Sequence, residues 1–175
     1  VIVYDPATGT EWGRALLDPI TLESVPVRPP LRALEAEVAD LAHARFREVA
    51  LLGFTPPDPA STYPGGAEVP VTLLWQAGDE RAVGDWVIQV LLEGNGRMVT
   101  VDEVPVGGAY PVERWQAGQV VRQWLAPAMP PDLPAGEYAL KLRVLRDGRP
   151  VPWGRGWLPL GSDLVLGDVH IAGEP

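Results

Sequence analysis

Glu137-Tyr138-Ala139-Leu140-Lys141-Leu142-Arg143-Val144-Leu145 is the stretch whose reading decides the fold class. Tyr138, Leu140, Leu142 and Val144 recur at period two, with Lys141 and Arg143 between them. That alternation predicts a strand with one apolar and one charged face. Pro134-Ala135-Gly136 before it reads as a turn, and Asp147-Gly148 after it as a hairpin turn. Working outward, Val71, Leu73 and Trp75 share a face within 69–75, and Trp86, Ile88, Val90 and Leu92 share another within 86–92. Gly94-Asn95-Gly96 is a tight hairpin signal, and Met98 to Val101 returns from it. Residues 46–54, 119–125 and 164–171 read as further strands, with Gly167 a bulge in the last. Residues 56–66 and 78–84 read as loops. Strands at this spacing predict an all-β, immunoglobulin-like or jelly-roll-like antiparallel β-sandwich of about eight strands.

The N-terminal part reads differently. Residues 1–4 predict a strand, 5–9 a turn and 15–22 a returning strand, followed by the stiff Val25-Pro26-Val27-Arg28-Pro29-Pro30. Residues 31–42 admit two readings. Leu31, Leu34, Val38 and Leu41 at helical spacing suggest one short helix, and an irregular or extended crossing segment is the alternative. The division expected is therefore 1–30, an N-terminal hairpin with a Pro-rich linker, and 31–175, the sandwich. The two ends also echo each other. Tyr4-Asp5-Pro6-Ala7-Thr8-Gly9 leads to Trp12-Gly13-Arg14, and Leu145-Arg146-Asp147-Gly148 leads to Trp153-Gly154-Arg155. One reading makes 1–30 the last hairpin of a preceding, related sandwich; another packs that hairpin onto the same core; coincidence between two Gly-rich hairpins is the third. The chain opens in strand-like sequence without an initiator Met and reads as a piece of a longer protein.

Composition narrows the function classes. Twenty prolines and 19 glycines cut the chain into short segments, because Pro fixes φ and cannot donate to a ladder. The formal net charge is -9. Phosphate backbones and anionic membrane surfaces are repelled by such a chain, so neither a nucleic-acid partner nor membrane attraction is expected. Lys141 is the single lysine among 14 basic residues. The absence of cysteine excludes disulfides, zinc–thiolate sites and thiol nucleophiles. No apolar run approaches the roughly 20 residues of a membrane span, so no membrane insertion by this chain is expected.

Several segments carry a resemblance. Phe46-Arg47-Glu48-Val49-Ala50-Leu51-Leu52-Gly53-Phe54, Pro64-Gly65-Gly66 and Val71-Thr72-Leu73-Leu74-Trp75 come first. Pro105-Val106-Gly107-Gly108-Ala109-Tyr110-Pro111 and Trp115-Gln116-Ala117-Gly118-Gln119-Val120-Val121 follow, then Leu133-Pro134-Ala135-Gly136-Glu137-Tyr138 and Leu164-Val165-Leu166-Gly167. Over 46–172 the chain resembles β-sandwich domains at the C-terminal, extracytoplasmic end of bacterial multi-span membrane proteins. Those proteins look like glycosyltransferases of the dolichyl-phosphate-mannose mannosyltransferase type. The resemblance implies an extracytoplasmic domain tethered through a parent protein, and it carries over no catalytic residue.

Candidate chemistry is sparse. His43 and His170 are the two histidines, and Ser24, Ser61 and Ser162 lie in turn-like sequence without a nucleophile elbow, so a Ser-His-Asp triad is not expected. Asp102 with Glu103, and Glu113 with Glu137, are carboxylates in name, best read as solvated surface. Neither a cofactor nor a metal site is expected. Seven tryptophans are the informative feature. Trp75 and Trp86 fall in apolar alternation and read as core. Tyr138, just after a turn, reads as a packed corner tyrosine whose hydroxyl bonds backbone. Tyr110, Trp115, Trp153 and Trp157 lie in loops or strand ends, where aromatic rings can stack on sugars; packing within the domain is the favoured alternative for each. The function expected is a non-catalytic accessory or interaction domain whose partner is another domain of the parent protein or a glycan. The alternative is a carbohydrate-binding module using those four loop aromatics.

Overall fold

The computed structural model describes residues 2–4, 11–14, 31–156 and 158–172, and the side chains from residue 31 onward within these ranges. Strands β1 (Ile2–Tyr4) and β2 (Glu11–Arg14) pair as an antiparallel hairpin. Helix α1 (Leu31–Glu35) leads to β3 (Asp40–Phe46), β4 (Val49–Thr55), β5 (Thr62–Tyr63), β6 (Val71–Ala77), β7 (Trp86–Gly94) and β8 (Arg97–Glu103). Two 3-10 turns, Pro105–Gly108 and Val112–Arg114, cross to β9 (Val120–Leu125). The chain continues through β10 (Gly136–Arg146), β11 (Arg149–Pro150), β12 (Trp153–Arg155), β13 (Leu158–Gly161) and β14 (Asp163–Ile171).

Two six-stranded sheets face each other. Sheet I runs β5-β14-β10-β7-β8 with β11 on the end of β10, and sheet II runs β13-β12-β3-β4-β6-β9. The expected all-β sandwich is therefore the observed one. The count exceeds eight because β5, β11, β12 and β13 are short edge pieces. One pairing is not antiparallel: β5 runs parallel to β14, with Thr62 opposite His170 and Tyr63 opposite Ile171.

Period-two burial builds the interior. Tyr138, Leu140, Leu142 and Val144 of β10 point inward, with Trp86, Ile88, Val90 and Leu92 of β7 beside them. From sheet II come Phe46, Leu51, Leu73 and Trp75, and the Phe46 and Trp75 rings meet edge-on at 6.0 Å. Gln123, 2% exposed, is the buried polar side chain among the described residues; its Oε1 accepts from Trp75 Nε1 at 3.1 Å. The bulge expected at Gly167 is present. Leu140 faces Gly167 while Lys141 faces Val165, so β14 buries Leu164 and Leu166 before it and Val169 and Ile171 after it. The predicted corner tyrosine also stands. Tyr138 Oη donates to the Pro134 carbonyl at 2.9 Å, and Asn95 Nδ2 donates to Tyr138 Oη at 3.4 Å and to the Ala135 carbonyl at 3.0 Å.

Two expectations need correction or division. Residues 46–54 do not form one strand: Phe46 ends β3, Val49 begins β4, and Arg47-Glu48 is the turn between them. Neither residue is a turn former, and Arg47 takes φ 54°, a region that favours glycine or asparagine. In 31–42, both readings hold in part. The helix spans Leu31–Glu35, and Leu41 already belongs to β3 with its side chain exposed. Val38 settles over Gly53, where an added Cβ would lie 2.6 Å from its Cγ2, and Glu37 bridges to Arg122 on β9. The α1 segment thus crosses the outer face of sheet II. The strand pairing with β1 is β2; residues 15–22, read as the returning strand, and the 25–30 linker lie outside the described residues. In the sequence echo, Trp12-Gly13-Arg14 and Trp153-Gly154-Arg155 are both strands.

On the outer face of sheet I, Asp102, Gln89, Arg143 and Asp163 form one cross-strand row. Arg143 grips Asp163 at 2.6 and 2.8 Å. That hydrogen bond holds the Asp163 carboxyl below the usual carboxylate range and the guanidinium above its ordinary value.

Candidate functional site

The nominated aromatics divide by burial. Trp115 is 6% exposed and donates from Nε1 to the Tyr110 carbonyl at 3.0 Å. Its indole plugs one end of the sandwich over Trp75, Trp86 and Val112, beside an apolar void of about 10 Å³, no larger than one water. Tyr110 is half-buried against the core, and its hydroxyl is engaged by the Arg114 carbonyl at 3.1 Å and Gln119 Oε1 at 2.9 Å. These two side chains hold the β8–β9 crossing together. Trp157 lies outside the described residues. Trp153 is half-buried, anchors its Nε1 on the Asp163 carbonyl at 3.1 Å, and shows the rest of its indole to a surface groove.

That groove has a volume of about 300 Å³, at the lower bound of ligand sites. Its walls include Trp153, Leu158 and Pro159 from the β12–β13 hairpin and Arg45 and Arg47 from β3 and its turn. The register explains the opening. Gly154 pairs with Arg45, Arg45 with Ala50, and Ala50 with Gln76, so one outward row of sheet II sets Arg45 between two residues with almost no side chain. Arg45 consequently stands as a ridge between the groove and a second depression of about 210 Å³ over Ala50 and Gln76. A third depression of about 400 Å³ lies beyond the turn, between Arg47, Arg146 and Arg149. Arg47 borders all three.

The turn is pinned from below. Arg146 Nη1 of sheet I reaches both Glu48 oxygens, at 2.9 and 3.1 Å, and its guanidinium stacks over Trp86 at 5.7 Å. This ion pair joins the two sheets and neutralises Glu48, whereas Arg45 spends its Nε on the Arg47 carbonyl at 3.0 Å. Asp147 is engaged as well, accepting the Asp85 N–H at 2.9 Å. Among the described residues, no carboxylate forms an ion pair with Arg45, Arg47 or Arg149.

Groups suited to bond-breaking chemistry are dispersed. His43 projects from sheet II and His170 from sheet I, both exposed. Asp102 and Glu103 are neighbours on β8 and so face opposite sides. Asp102 instead accepts from Gln89 Nε2 at 2.7 Å. Among the described residues, no three His, Asp or Glu side chains cluster as metal ligands, and no helix is long and apolar enough to cross a membrane.

Sequence reasoning passed over two features. Trp124 is 74% exposed on edge strand β9, with the Arg122 guanidinium 5.9 Å from its ring. Alternation with Val121 and Leu125, both buried, was the signal that turns it outward. Arg45 and Arg47 carried no signal, since Arg47 falls inside the stretch read as one strand, 46–54, and Arg45 just before it.

No protein-family model matches this chain, and no curated protein matches it. Among solved structures, the crystal structure of the C-terminal domain of wzt superposes with a TM-score of 0.47 at 11% identity, covering 75% of this chain and 78% of that one.

Proposed function

We propose that this chain is a non-catalytic binding module for a saccharide, carried as an extracytoplasmic accessory domain by a membrane-anchored, glycosyltransferase-like protein. The observation that carries the binding reading is the groove itself. It offers part of an indole, the apolar edges of Leu158 and Pro159, and guanidinium donors on one wall. Sugar rings present apolar faces for stacking and hydroxyls for donors, and a groove with both kinds of wall suits them. The context of a parent protein rests on the resemblance of residues 46–172 alone.

The test is a glycan-array screen of the 175-residue chain, with Trp153→Ala and Trp124→Ala compared after their folding is checked by circular dichroism. Binding that Trp153→Ala loses and Trp124→Ala keeps is the expected result. Retention of no glycan would end the saccharide reading. Loss in Trp124→Ala alone would move the site to the outer face of β9.

A further inference from the structure

We infer that the saccharide taken by this groove is acidic, with a carboxylate or phosphate ester held between Arg45 and Arg47; the inference rests on reading the groove as a saccharide site. Three observations carry it. First, the groove walls hold two guanidinium groups and no carboxylate, in a chain whose formal net charge is -9. The overall field repels anions, so an anionic ligand needs a local concentration of cations, and one is found where three depressions meet at Arg47. Of the carboxylates beside these depressions, Glu48 is paired with Arg146, while Asp147 and Asp79 border only the other two depressions and not the groove.

Second, the cations are held ready. Arg45 is tethered to the turn through its Nε, its remaining guanidinium N–H groups take no partner among the described residues, and the Glu48–Arg146 pair locks the turn to the opposite sheet. A planar guanidinium fork matches carboxylate and phosphate oxygens, which a neutral hydroxyl does not require.

Third, Arg47 occupies a backbone position unsuited to arginine. Two other tight hairpins of the fold place Asn95 and Asp147 at φ 50° and 52°, each followed by glycine. The β3–β4 turn alone of these three places arginine there, at φ 54°. Asparagine or glycine would serve the turn better, so the side chain is kept for what it does at the surface.

Isothermal titration of the 175-residue chain against a galacturonic acid trimer, glucose 6-phosphate, a neutral galactose trimer and inorganic phosphate tests this. The acidic sugars should bind, the carboxylate and phosphate arms showing which oxyanion is preferred, with affinity that falls as salt rises. Arg45→Gln with Arg47→Gln should weaken them about tenfold, the loss of two exposed charge pairs. Arg47→Asn should weaken binding while raising the melting temperature, a combination that a purely structural role for Arg47 does not produce. Equal binding of the neutral trimer, unchanged by the arginine substitutions, would overturn the acidic assignment and leave the saccharide reading standing. Inorganic phosphate binding as tightly as the sugars would overturn the saccharide reading instead. No binding of any probe would remove both.

Discussion

Replacing Tyr138 with phenylalanine deletes one oxygen from the wholly buried corner of β10, and the structure sets how much that should cost. The ring stays, so the packing of the largest side chain on β10 is kept and no cavity forms. The hydroxyl loses its 2.9 Å bond to the Pro134 carbonyl. Pro134 is exposed, so water can take over that acceptor and the full penalty of a buried orphan does not apply. Asn95 Nδ2 loses a long 3.4 Å contact and keeps its 3.0 Å bond to the Ala135 carbonyl. The expected cost is therefore that of one ordinary hydrogen bond, about 1 kcal/mol. Tyr138→Ala, which empties the site, should cost about 3–5 kcal/mol. In a chain of this size 1 kcal/mol corresponds to about 2–4 °C in melting temperature. Urea titration of both variants, read by tryptophan fluorescence with the slope of the transition held constant, measures the two costs. If Tyr138→Phe were as stable as the parent, the corner bond would be ornament. A loss as large as that of Tyr138→Ala would place the energy in the hydroxyl and refute the division made here.

Other expectations follow from the same interactions. Gly53→Ala should destabilise by about 1–3 kcal/mol, because its Cβ would sit 2.5 Å from the Asp40 carbonyl oxygen and against Val38; a neutral substitution in thermal melts would mean that the α1 segment does not lie where described. Gln123→Leu orphans the Trp75 indole N–H in the core and should cost about 1–3 kcal/mol. The same change in a Trp75→Phe background should cost less, and a double-mutant cycle with no coupling would argue against the bond. Asp163 has a folded-state pKa lowered chiefly by its hydrogen bond to Arg143. Its stabilising contribution is thus fully present above its unfolded value of about 3.9 and is lost as pH falls through the lower folded value. Arg143→Gln should flatten that acid limb of the stability–pH curve, and an unchanged limb would assign it to other carboxylates.

The architecture was legible where one face is apolar and the other charged. On β10 and β7, alternation alone set which side chains point inward, and Asn95-Gly96 and Asp147-Gly148 announced their turns. Legibility failed where tertiary context overrides local preference. The Arg47-Glu48 turn has no turn residue, so the reading began one strand at Phe46 and missed β3 before it. The spacing of Leu31, Leu34, Val38 and Leu41 mimics a helical face, yet the chain leaves the helix after Glu35 to join sheet II. The site was hidden by the same missed strand. The Arg45 ridge, with the groove on its Gly154 side and a second depression on its Ala50 side, exists only once β12, β3 and β4 are in register, and no linear pattern encodes that row. Of the nominated aromatics, Trp153 borders the groove because β12 brings it there, whereas Trp115 turns inward because the β8–β9 crossing must fill the open end of the sandwich.

Gly167 also fixes the arithmetic of the last strand. At φ 149° it supplies the one extra residue that shifts β14 from even-numbered to odd-numbered inward positions. Without the bulge, simple alternation from Leu164 and Leu166 would carry Asp168 and His170 into the oil and drive Val169 and Ile171 into water. The two-residue strand β5 hangs on His170 and Ile171, so it would lose its footing too. The chain upstream and downstream of this glycine is thus counted in separate frames, and one further residue inserted beside it would be read as an error along the rest of the strand.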